Sequence, residues 1–61
     1  MTREIRIRGV LIGKIMVISS SRWEVRDARG VLKGFYCPRL NVTYTPSGAY
    51  YASGEVLSSL L

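Results

Sequence analysis

The chain reads as a mainly β protein: a small antiparallel sheet, curled or closed into a barrel, of about five to six short strands joined by tight turns. Three observations carry that reading. Residues 4–8 alternate polar and apolar, with Ile5 and Ile7 on one side and Glu4, Arg6 and Arg8 on the other, the period of a half-buried strand. Two turn signals of one design, Asp27-Ala28-Arg29-Gly30 and Thr45-Pro46-Ser47-Gly48, lie between β-prone runs. The apolar positions are rich in Ile, Val and aromatic residues, which suit a pleated surface better than a helix.

The stretch 23–36 is the centre of the pattern. Trp23 and Val25 point one way and Glu24 and Arg26 the other. Asp27 suits the first turn position because its carboxylate can accept a bond from the backbone two residues on. Gly30 suits the last because that position favours φ > 0. Residues 31–36 then run back as the second strand of a hairpin.

The remaining elements follow in order. Gly9 ends the first strand in a bulge or a turn. Residues 10–18 are almost continuously apolar, broken by Gly13 and Lys14, and predict a central strand. Residues 19–22 are polar and read as a loop. After the hairpin, Pro38 cannot donate to a ladder and holds Cys37 extended, so 37–41 is a connector. Val42-Thr43-Tyr44 is a short strand, the Thr45–Gly48 turn follows, and 49–52 returns. Asn41-Val42-Thr43 matches a glycosylation sequon in form and is read as strand entry. In the tail, Val56, Leu57, Leu60 and Leu61 share one helical face. A short C-terminal helix over 55–61 is expected, capped by Ser53 or Gly54 with Glu55 in its first turn, and a last strand is the alternative. So short a helix cannot stand alone and must dock on the sheet or on a neighbour.

The chain also repeats itself. Arg8-Gly9-Val10-Leu11-Ile12-Gly13 and Arg29-Gly30-Val31-Leu32-Lys33-Gly34 agree at five of six positions, 21 residues apart, and Gly48 opens a looser third copy. The plain account is that small β proteins reuse simple turns. The stronger account is a set of hairpins with interior glycines where strands converge. The residues 25–34 and 43–50, about a third of the chain, resemble the hairpin repeats of YD-repeat and β-flower proteins. Thr45 stands where that pattern prefers Asp, and the N-terminal copy lacks the same turn before Gly9. The resemblance implies an architecture and no catalytic residue.

Composition bounds the rest. Sixty-one residues make one small β-rich domain, 1–61. A chain of that size buries only about 60% of its unfolded surface and needs a dense core or a partner. Cys37 is the single cysteine and there is no histidine, which removes internal disulfides and structural zinc and leaves no metal or cofactor expected. A lone thiol suits a reducing, cytoplasmic setting. Residues 3–21 look superficially like a signal peptide, but Lys14 interrupts the apolar run and Glu4 sits in the basic part. No apolar run reaches the roughly 20 residues of a membrane span. The hydrophobic fraction of 48% is high for such a chain and points either to a dense core or to apolar surface shared with a second copy.

Charge is uneven. Residues 1–39 hold all nine basic residues and three of the four acids, a net of +6, while 40–61 hold only Glu55. Arg6, Arg8, Arg26, Arg29 and Lys33 are therefore the candidates for a polyanion-binding patch, against the plainer account of solubility. Trp23, Phe35 and Tyr44 are expected in the core. Tyr50 and Tyr51 are adjacent, so at least one faces out for stacking or a subunit contact. Without histidine no ordinary general base or Ser–His pair exists, and no enzyme is expected. Glu24 and Asp27 are read as surface partners of nearby arginines. The expectation is a non-enzymatic structural or protein-interaction module that forms a homo-oligomer. A nucleic-acid-binding domain is the alternative.

Overall fold

The computed structural model describes residues 2–61. Its strands are β1 (Thr2–Ile7), β2 (Val10–Ser19), β3 (Arg22–Asp27), β4 (Leu32–Cys37), β5 (Val42–Tyr44) and β6 (Tyr50–Ser53). One 3₁₀ turn, Leu57–Leu60, follows them. All six strands lie in one antiparallel sheet in chain order, β1-β2-β3-β4-β5-β6. The mainly β class, the strand number and the tight turns are those the sequence predicts. The sheet is open rather than closed into a barrel, and β1 and β6 each have a single neighbour. With three and four residues, β5 and β6 are too short to carry the sheet round to β1.

The turns form for the reasons their residues suggest. Between β3 and β4 the Gly30 N–H donates to the Asp27 carbonyl at 2.9 Å and the Asp27 N–H to the Val31 carbonyl at 3.0 Å. Asp27 Oδ1 accepts from the N–H groups of Arg29 and Val31 at 2.9 and 3.0 Å. Between β5 and β6 the same scheme recurs: Gly48 N–H to Thr45 O at 2.9 Å, Thr45 N–H to Ala49 O at 2.8 Å, and Ala49 N–H to Thr45 Oγ1 at 3.2 Å. The N-terminal hairpin turns in two residues, Arg8 and Gly9, both at positive φ (53° and 81°), as a type I′ turn requires.

The internal repeat is structural. In each hairpin the ladder skips the residue three after the turn glycine: Ile12, Lys33 and Tyr51 have no partner, and the register shifts there. The next residue is small and lies opposite a residue of the preceding strand. These pairs are Gly13 with Ile5, Gly34 with Val25 and Ala52 with Thr43. Directly paired residues of antiparallel strands share a face, so the three small residues make a line of low relief across one side of the sheet.

The C-terminal tail fills that relief. A methyl built on Gly13 would meet the Leu61 side chain at 2.8 and 2.9 Å, and one built on Gly34 would collide with Leu60. Leu57 and Val25 are fully buried, and Ile15 and Tyr36 complete the core, with Ile5, Trp23, Leu60 and Leu61 packed around it. Trp23 meets Tyr36 edge to face, centroids 5.3 Å apart. The expected short helix is one 3₁₀ turn, and its cap differs from expectation. Ser53 belongs to β6, Gly54 bends the chain at φ 82°, and Val56 stands at the N-cap with no side-chain bond. The capping oxygen comes from Glu55, whose Oε1 accepts the Leu57 N–H at 2.8 Å. Buried Thr43 ties the tail to the sheet: its hydroxyl donates to Gly54 O at 2.7 Å and accepts the Val56 N–H at 3.3 Å.

Candidate functional site

With one face under the tail, the other face of the sheet carries the accessible chemistry. The register lays a row across all six strands on that side: Thr2, Met16, Glu24, Phe35, Tyr44 and Tyr50. Beside it runs a second row, Glu4, Lys14, Arg26 and Leu32. No element packs over these rows among the described residues.

Phe35 and Tyr44 correct the expected core. They stack on each other with centroids 5.1 Å apart and planes 24° from parallel, half-buried on the bare face. The core aromatics are Trp23 and Tyr36 instead. The extra residue at Lys33 accounts for the exchange. It shifts the register so that Trp23 pairs with Tyr36 and Glu24 with Phe35. An uninterrupted ladder from the Asp27 turn would have set Phe35 beside Trp23.

Charge on the bare face is arranged in pairs. Glu24 accepts from Arg22 Nε at 2.9 Å through one oxygen and from Arg26 Nη2 at 3.1 Å through the other. The Arg22 bond, with the Arg26 bond behind it, holds the Glu24 carboxyl below its ordinary value of 4.5 against the partial burial that raises it. Arg22 also lies over the Phe35 ring, its guanidinium carbon 4.1 Å from the centroid, a cation–π contact. The pairing of Glu24 with its neighbouring arginines is the one the sequence suggests, but Arg22 was not among the candidate cations; its spacing of two from Glu24 on one strand face was the available signal. Asp27 is likewise held low, first by the Val31 N–H and then by the Arg29 N–H and Lys33. Both acids are thus held as anions by donors around them.

The five candidate basic residues do not form one patch. Arg6 lies on β1 and donates from Nε and Nη2 to Glu4 Oε1 at 3.1 and 3.0 Å and from Nη1 to Gly9 O at 3.3 Å. Arg26 is held by Glu24 and by Gly30 O, at 2.9 Å. Lys33 Nζ lies 3.8 Å from Asp27 Oδ2. Arg8 and Arg29 sit exposed in the first and third turns, which the alternating strand directions put at one end of the sheet. Lys14 joins the face between Glu4 and Arg26. Of the two candidate aromatics, Tyr50 is 63% and Tyr51 41% exposed, and their hydroxyls contact Ser53 and Ser59 at 2.9 and 3.2 Å. Cys37 is half-buried at the end of β4.

A groove of about 340 Å³ opens beside the tail on the covered face, floored by Ile15, Val17 and Trp23 and rimmed by Arg3 and Glu55. Among the described residues no group of three or more His, Cys, Asp or Glu gathers to hold a metal ion, and no helix is long and apolar enough to cross a membrane. Comparison with protein-family models, with curated proteins and with solved structures finds no match.

Proposed function

We propose that this chain is a small, non-enzymatic interaction module that associates with itself. The open meander is the observation that carries the reading. A sheet whose first and last strands are each unpaired on their outer side leaves two rows of backbone donors and acceptors for another chain. Around those edges Ile7, Val10, Tyr50 and Tyr51 stand exposed, apolar surface of the kind a subunit contact removes from water. A reducing, cytoplasmic setting suits its single half-buried thiol. Sedimentation across the micromolar to millimolar range tests the reading, together with melting at several protein concentrations. Rising average mass and a melting temperature that climbs with concentration are expected. A single monomeric mass up to about 1 mM, the concentration matching some −4 kcal/mol of association, ends it.

A second reading rests on the bare face. The Phe35–Tyr44 stack, with Arg22 over Phe35, Arg26 on the adjacent strand and Lys14 beyond it, offers π-faces beside cations, the combination that single-stranded nucleic acid uses. Titration with a thymidine oligonucleotide tests it. Binding should weaken steeply with salt, and Phe35→Ala should reduce it about tenfold, given about 1–3 kcal/mol per stacked base. Salt-insensitive or absent binding removes this reading and leaves the first in place.

A further inference from the structure

We propose that two copies of the chain join through their β1 edges, strand against strand, about a two-fold axis at Ile5. The proposal rests on the self-association reading and supplies its surface and register. β1 is the longer free edge, six residues against four in β6. It is also the more regular. The unpaired residue of the first hairpin, Ile12, belongs to β2, so β1 runs without interruption. β6 carries its own unpaired residue, Tyr51, whose hydroxyl is tied to Ser59 of the tail. A straight edge with free backbone groups is a template for another strand.

Faces and charge fix the register. Because opposed residues share a face, a two-fold ladder of identical strands is centred on a single residue. Centring on Glu4 sets two carboxylates against each other, and centring on Arg6 sets two guanidinium groups together. Centring on Ile5 sets Glu4 opposite Arg6 of the second copy, twice. In one copy Arg6 grips only Oε1 of Glu4, at 3.0 and 3.1 Å. Oε2 takes no part in that pair and is placed to accept from the second Arg6. The four groups then alternate in sign. On the opposite face the same register brings Ile5 against Ile5 and Arg3 against Ile7. Ile7, 59% exposed in the single copy, comes to lie against the aliphatic stem of Arg3 in the second copy. Both tails fall on one side of the joined sheet, and the bare faces form a continuous surface on the other.

Sedimentation equilibrium on the full chain and on Glu4→Arg and Arg6→Glu tests this, with circular dichroism confirming that each variant folds. The natural chain should dimerise. Each variant alone should dissociate about tenfold more readily or worse, since two opposed attractions become two repulsions. Mixed in equal amounts, the two variants should recover a heterodimer, because reversed charges again face their opposites. Dimers unaffected by either variant, or no recovery on mixing, overturn the β1 register and leave self-association standing. A monomeric natural chain overturns both. Isologous β1 pairing closes at the dimer, so assemblies beyond two copies that persist unchanged in both variants also overturn it. Ile5→Cys, made together with Cys37→Ser, gives a second measure: mild oxidation should link the dimer through position 5, and absence of the link at dimerising concentrations counts against the register.

Discussion

Asp27 holds two backbone N–H groups with one carboxylate oxygen and so sets the turn on which β3 and β4 close. Glu24, between two guanidinium groups, does the same for the charge on the bare face. Both carboxyls sit below their ordinary values in the folded chain, 3.8 for Asp27 and 4.5 for Glu24. In acid the unfolded chain therefore takes up protons before the folded one does. Their contribution is complete above those ordinary values and is lost as pH falls through the lower folded ones. Urea midpoints measured from neutral pH into acid should fall below about pH 4.5 for the natural chain. Asp27→Asn together with Glu24→Gln should flatten that fall. Thr43 is the other residue with a disproportionate role, because its buried hydroxyl satisfies Gly54 O and the Val56 N–H together. Thr43→Val keeps the shape and strands both backbone groups, at a cost of about 1–3 kcal/mol, whereas Thr43→Ser keeps the bonds. Denaturant titration of both variants separates the two effects.

At the scale of elements, the three hairpins are one device used three times, each with a turn glycine, an unpaired residue three later and a small residue after it. The turns were readable because their chemistry is local: Asp27, Gly30, Thr45 and Gly48 act on atoms within four residues. The matched glycines of the repeat were readable too, though not their purpose, which depends on leucines far along the chain. What could not be read was the parity of β4. A ladder skip at Lys33 leaves no mark in the alternation of residue types, yet it moves Phe35 and Tyr44 from the core to the bare face. The candidate cations failed to gather for a related reason, since Arg6 and Arg26 were drawn off by Glu4 and Glu24 on their own strands. The seat of the tail offers the sharpest test at this scale. Gly34→Ala places a methyl against Leu60 and 2.6 Å from the Tyr44 carbonyl oxygen, which is backbone and cannot swing away. It should destabilise by about 1–3 kcal/mol, read from the urea midpoint. Adding Leu60→Ala should not restore the loss, because the carbonyl remains.

For the whole molecule, the contrast between the two sides of the sheet decides what it can meet. One side is closed by Leu57, Leu60 and Leu61, and the other presents aromatic and cationic groups in register. Self-association along an edge leaves that second side free, so the two functional readings are compatible. In a dimer the nucleic-acid reading predicts a binding site twice as long, seen as a doubled occluded length in titrations at high protein concentration. The sheet order has one more consequence. Every strand pairs only with strands next to it in the sequence, so forming the sheet demands few distant encounters, and quick folding is expected. The tail alone reaches back: Leu61 rests on Gly13, two hairpins upstream. A protease that nicks the chain at the exposed Ser20–Ser21 corner would therefore release nothing. The severed pieces would stay clasped by the β2–β3 ladder and that last leucine, and would part only in denaturant.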